Sequence, residues 1–150
     1  MSSGDCKVFR TFLANQISGA AVVDFDTDTI KLMLLGAGYT PSYTGDEYAK
    51  SLTAQQVTAG TEYVDGGPAL AAKSITVSGL FAIWKAGTLT ITQDAANGFA
   101  AARWGLIYKA GTSFGDSPVI ATIELTTDRN NTAGPLVISP AVNKLIKWQM

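Results

Sequence analysis

Histidine is absent from this 150-residue chain, and cysteine occurs once. The first absence excludes Ser-His-Asp and Cys-His catalysis and every histidine-ligated metal site. The second excludes an intrachain disulfide. Cys6 reads as a free thiol near the start of the chain; an interchain bridge would need an oxidising compartment. Charge is also scarce, at 15% of residues with a net charge of −1, and the eleven basic residues form no run. Nucleic acid is therefore not the expected partner, since phosphate binding needs a basic footprint. No apolar run reaches the roughly 18 residues of a membrane span. The opening "MSSGDCKVFR" lacks the apolar stretch of a secretory signal. The expectation is a protein made in a cytoplasm, with no membrane and no nucleic acid among its partners.

Hydrophobic residues make up 47% of the chain, and Gly, Thr, Ser and Ala are abundant. At this length one domain can bury about two-thirds of its unfolded surface. Short apolar runs recur at close spacing: 29–36, 61–64, 69–77, 80–84, 88–92, 102–110, 118–125, 135–139 and 144–150. Several alternate with period two. Leu89 and Ile91 oppose Thr88, Thr90 and Thr92; Val119, Ala121, Ile123 and Leu125 share a face; so do Trp104, Leu106 and Tyr108. Such patterning marks antiparallel sheets packed on one side. "DGGP", "KAG", "ANG" and "DRNNTAGP" supply the turns. The fold expected is all-β: a single-domain antiparallel β-sandwich of about eight strands over residues 21–150, preceded by an N-terminal segment, 1–20. There, Val8, Phe9, Phe12 and Leu13 are spaced for a short helix within 6–16. The expected core includes Leu32, Leu34, Ile75, Val77, Leu106 and Ile123, with Trp84, Trp104 and Trp148 in inter-sheet packing.

Candidate chemistry is sparse. Asp24, Asp26 and Asp28 resemble the start of a calcium loop, but the required Gly and Glu positions are Thr29 and Leu35. The aspartates read instead as Asx-type turns leading into a strand. "LLGAGYTP" lacks the third glycine of a dinucleotide loop, which falls on Pro41, and no helix signal follows. Asp46 and Glu47 are adjacent rather than facing across a cleft. Asn130-Asn131-Thr132 matches a glycosylation sequon, a short pattern that carries little without a secretory signal. No catalytic residue, metal site or cofactor is assigned. Tyr39, Tyr43, Tyr48 and Phe114 lie in long connections, where they suit either a protein contact or capping of the sandwich ends.

The segments "DTDTIKLMLLGAGYTP", "EYVDGGPALAAKSITVSG", "ARWGLIYKAG…SPVIATIEL" and "LVIS…NKLIKW" follow one another from about residue 24 to 148. In order and spacing they resemble a family of small structural proteins of the tailed-bacteriophage virion. The residues that carry the likeness include Tyr63, Gly66, Gly67 and Leu70, then Ala102, Arg103, Trp104, Ile107 and Tyr108, then Ser117 and Pro118. The resemblance implies a non-enzymatic capsid decoration or cement protein on the outside of the head. It would bind the major capsid protein and itself, by analogy as a trimer. Tail or head-fibre placement is the structural alternative, and a carbohydrate-binding β-sandwich on the virion surface is the alternative of another class. The expected contact residues are Val8, Phe9 and Phe12 in the N-terminal segment, and Tyr39, Tyr43 and Tyr48 in the 37–52 connection.

Overall fold

A computed structural model describes residues 6–139 and the strand at 146–149. Nine strands lie among these residues: β1 (Cys6–Val8), β2 (Ile30–Gly36), β3 (Ser74–Ser78), β4 (Phe81–Lys85), β5 (Leu89–Ile91), β6 (Ala102–Lys109), β7 (Val119–Arg129), β8 (Leu136–Ile138) and β9 (Ile146–Gln149). One α-helix, α1 (Arg10–Ser18), follows β1, and 3-10 turns occupy Ala49–Gln55 and Phe114–Asp116. Every strand pairing is antiparallel. The principal sheet has the order β1-β7-β6-β2, and smaller sheets are β3-β4-β9 and β5-β8. The fold is the all-β, sandwich-like arrangement with a short N-terminal helix that the periodicity predicts.

The chain start differs in detail from the expected helix over 6–16. Cys6, Lys7 and Val8 extend β7 at its edge, opposite Ile123, Thr122 and Ala121. The helix begins only at Arg10 and stops at Gly19, whose φ of +77° suits a residue without Cβ. Both elements pack into the main body, so residue 20 marks no break in packing.

Strand β2 is the centre of the core. Ile30, Leu32, Met33, Leu34 and Leu35 are all at most 1% exposed. Leu106 and Ile107 of β6 are equally buried although they point to opposite faces. Both strands are thus covered on two sides, whereas alternation alone suggested a sheet packed on one. Opposed residues share a face, which places Met33, Leu35, Trp104, Leu106 and Thr122 together. The 37–48 connection covers that face: Tyr39 packs edge-on against Trp104, and the Tyr43 hydroxyl bonds that of Thr122.

The outer edge of β2 is closed by irregular chain. Leu32 N–H donates to Pro68 O, Leu70 N–H to Ile30 O, and Val57 N–H to Leu34 O. Leu34 N–H donates to the buried Tyr63 hydroxyl at 2.8 Å. The Tyr108 hydroxyl donates to Gly66 O at 2.6 Å. Gly67 has φ +76°, and a Cβ there would collide with the Leu32 carbonyl. The Tyr-x-x-Gly-Gly segment is therefore an edge seal for β2.

Two expected core residues are not in the core. Ile75 is 54% exposed and Val77 70%. They alternate with Thr and Ser as a half-buried strand does, but β3 stands at the rim of its sheet with all five residues exposed. Leu32, Leu34, Leu106 and Ile123 are buried as expected. Trp84 is fully buried and Trp104 half-buried; the Trp148 side chain lies outside the described residues.

Leu106→Ala should cost about 2–5 kcal/mol in a denaturant titration, because it empties space among immobile neighbours. Ile75→Ala should stay within about 0.5 kcal/mol, as for a surface change. Equal losses would contradict this assignment of interior and surface. Gly67→Ala should cost at least about 1–2 kcal/mol from the left-handed backbone alone, and more if β2 must shift. An unchanged denaturation midpoint would show that the chain passes Leu32 less closely.

Candidate interaction surfaces

The expected contact residues converge, but mostly inwards. Phe9 is fully buried; its N–H donates to Ile120 O, and its ring lies 5.3 Å from that of Tyr43. Phe12 is 2% exposed and edge-on to Phe25 at 5.8 Å. Phe25 in turn packs on Trp84 at 5.1 Å, so helix α1, the aspartate loop and β4 share one aromatic chain. Tyr39 is 6% exposed, and its hydroxyl donates to Asp46 Oδ2 at 2.7 Å. Burial, then the Asp46 carboxylate, pushes its pKa well above the ordinary phenol value. Phe9, Phe12 and Tyr39 are therefore not surface anchors. Helical spacing marks an apolar face without saying whether it covers its own body or another. Removing residues 1–16 would strip β1 and two core rings, so such a truncation could not separate binding from folding.

Val8, Tyr43 and Tyr48 keep partial exposure. They lie beside the joint between the N-terminal segment and the 37–48 connection. That joint is sewn by Arg10 N–H to Tyr43 O, Thr11 Oγ1 to Asp46 O, and Asn15 Nδ2 to Glu47 Oε1. At the surface of the joint, Lys7 Nζ sits 5.2 Å from the Tyr43 ring centroid, and a shallow groove runs past Arg10, Pro41 and Thr44.

The aspartates serve the chain itself. Asp24 Oδ1 accepts the N–H groups of Asp26 and Thr27. Hydrogen bonding from the Thr27 side chain, then from those amides, holds its carboxyl below the usual range. Asp28 Oδ2 accepts Asp24 N–H and pairs with Lys109 Nζ at 2.9 Å. Among the described residues no group of three or more acidic or cysteine side chains is arranged to hold a metal ion. Two polar residues to which the sequence assigned no structural bond are structural. Asp94 accepts the Thr61 and Asn97 amides, and buried Asn131 bridges Phe99 N–H and Thr92 O. Apart from Asn97, their partners are more than 30 residues away in sequence, so the turn-like "ANG" and "DRNNTAGP" marked the loops but not these bonds.

The surface that sequence reading missed is the β3–β4 hairpin. Gly79, with φ +59°, and Leu80 turn the chain between the strands. Ile75, Val77 and Leu80 are 54%, 70% and 63% exposed. Trp84 roots the far end of β4 in the body. Comparison with known protein families, characterised proteins and solved structures finds no match to this chain.

The buried tyrosines give a pH signature. Burial raises Tyr63, and burial followed by the Asp65 charge pushes Tyr108 up to about 12. Above about pH 10, the ordinary phenol value, the unfolded chain loses these protons and the folded one keeps them. Stability should thus be full below about pH 10 and fall as pH rises towards 12. In a spectrophotometric titration, Tyr39, Tyr63 and Tyr108 should ionise only as the fold opens. Ionisation of all five tyrosines in one step near pH 10, with no loss of structure, would contradict the packing.

Proposed function

We propose that the chain is a structural protein of a tailed-bacteriophage particle, most favourably a decoration protein bound to the outer face of the head. The observation that carries this reading is a division of labour within the fold. Residues in which the sequence resembles virion proteins, Tyr63, Gly66, Gly67 and Tyr108, lock the body around β2. Three of the exposed large apolar side chains, Ile75, Val77 and Leu80, stand instead on one hairpin, while Leu13, Ile17, Val22 and Val64 are scattered over helix α1 and loops. A rigid body presenting an adhesive edge suits static assembly.

The partners in this reading are the major capsid protein and other copies of the chain, as a homo-oligomer for which a trimer is the analogue. Many symmetric copies would together reinforce a shell under internal pressure, although each contact is modest. The half-buried Val8, Tyr43 and Tyr48, with Lys7 and Arg10 beside them, form the face offered to the shell.

Mixing the folded full-length chain with undecorated heads, followed by sedimentation and gel densitometry, tests the reading. Binding should saturate at a copy number fixed by capsid symmetry. An Arg10→Glu, Tyr43→Ala pair should lower occupancy about tenfold or more, as loss of a central contact does. No binding by the folded chain would overturn head placement and favour the tail or fibre.

A further inference from the structure

We infer that strand β3 is a homotypic docking edge, pairing antiparallel with β3 of a second copy across a two-fold axis at Thr76. The inference does not depend on the virion role.

The strand is open on one side. It pairs with β4 through five consecutive residues without a bulge, and nothing among the described residues pairs with its other edge. Proteins normally protect such an edge with a charge, a proline, a bulge or a cover. Here no charged residue and no proline occurs from Ser74 to Trp84. The nearest charges, Lys73 and Lys85, flank the hairpin, and Lys73 Nζ is turned to the Asp28 carbonyl. Ile75 and Val77, though apolar, are more than half exposed. The edge is regular, uncharged and rich in β-branched residues, which is what an incoming strand requires.

The occupant is identified by the strand's own sequence. Ser74-Ile75-Thr76-Val77-Ser78 reads almost identically in both directions. Antiparallel pairing about Thr76 sets Thr76 against Thr76, Ile75 against Val77, and Ser74 against Ser78. Hydroxyl meets hydroxyl and branched aliphatic meets branched aliphatic, the pairings that stabilise antiparallel ladders. A two-fold contact demands such self-complementarity. Charge agrees as well: the register places Lys73 opposite Gly79, so no like charges face one another. The result is a continuous sheet, β9-β4-β3 joined to its symmetry mate, with Ile75 and Val77 of both copies on one face. This contact differs from the threefold ring expected by analogy, and would link such rings.

Register-specific crosslinking of the full chain tests the inference, in a Cys6→Ser background. Directly opposed residues in an antiparallel pair have Cα atoms about 4.5–5.5 Å apart, within disulfide range. Thr76→Cys should form a symmetric disulfide dimer under mild oxidation. Ser74→Cys should not, because its own copy lies about 13 Å away along the strand. The expected difference in rate is about tenfold or more. Sedimentation should show a concentration-dependent dimer for the unmodified chain and a monomer for Val77→Lys. Circular dichroism and melting should be unchanged in that variant, since the position is exposed. A monomer at all concentrations, or equal crosslinking by the two cysteine variants, would overturn the proposal.

Discussion

Strand β2 can be buried on both faces only because its outer edge is answered. An end strand buried on both faces leaves its edge amides and carbonyls away from water, and each one left unpaired costs about 1–3 kcal/mol. The chain meets this demand without another full strand. Pro68 O, Leu70 N–H, Val57 N–H and the Tyr63 hydroxyl supply the missing partners. Gly67 allows the sealing segment to approach the Leu32 carbonyl, and Tyr108 fixes the neighbouring Gly66 carbonyl from β6. The core and its seal are mutually dependent: Tyr108 belongs to the strand that β2 pairs with.

The second constraint lies in the middle of the main sheet, between β6 and β7. Pairing of β6 with β7 jumps from Trp104 opposite Glu124 to Ala102 opposite Arg129. The extra residues form a bulge in which Thr126 has φ +62°, a strained value for a β-branched side chain. Arg103 spans it, reaching Glu124 at 3.1 Å and Asp128 at 3.7 Å. These ion pairs are part-exposed and contribute at most about 1 kcal/mol, so they orient the bulge more than they stabilise it. The consequence is positional. The end of β7 is redirected so that Asn131 enters the interior and ties residues 92 and 99 together. That bond set anchors the approach to the β5–β8 pair.

Legibility from sequence divided along physical lines. The run 32–35 needs no context, because four consecutive large apolar residues can go nowhere but a core. Asp24 and Asp28 were readable as turn residues, because their partners are within four residues. Tyr63 was not readable as the partner of Leu34, since nothing local marks a contact across the intervening chain. Ile75 and Val77 alternate just as Leu89 and Ile91 do; only the assembled sheets tell an outer rim from an inner layer. Phe9 and Phe12 failed in the reverse sense. Their spacing was read correctly as an apolar face, but that face closes over Tyr43 and Phe25 of the same chain.

The exposed hairpin is the point where local and global preferences part. In the other strands whose side chains are described, large apolar residues are at least partly buried, even at the cost of a strained threonine and a crowded glycine. Along β3 they are left in water beside an unprotected ladder edge, an arrangement that invites pairing with other chains. A sequence that spends so many devices on closing the β2 edge, and none on closing the β3 edge, treats the two differently. Residues 56–70 fold back to cover β2, whereas β3 turns through Gly79 into β4 and leaves its other edge without a partner among the described residues. The uncharged edge is thus better understood as a feature completed by assembly than as an incomplete core, and the near-symmetry of Ser74–Ser78 about Thr76 specifies which strand completes it.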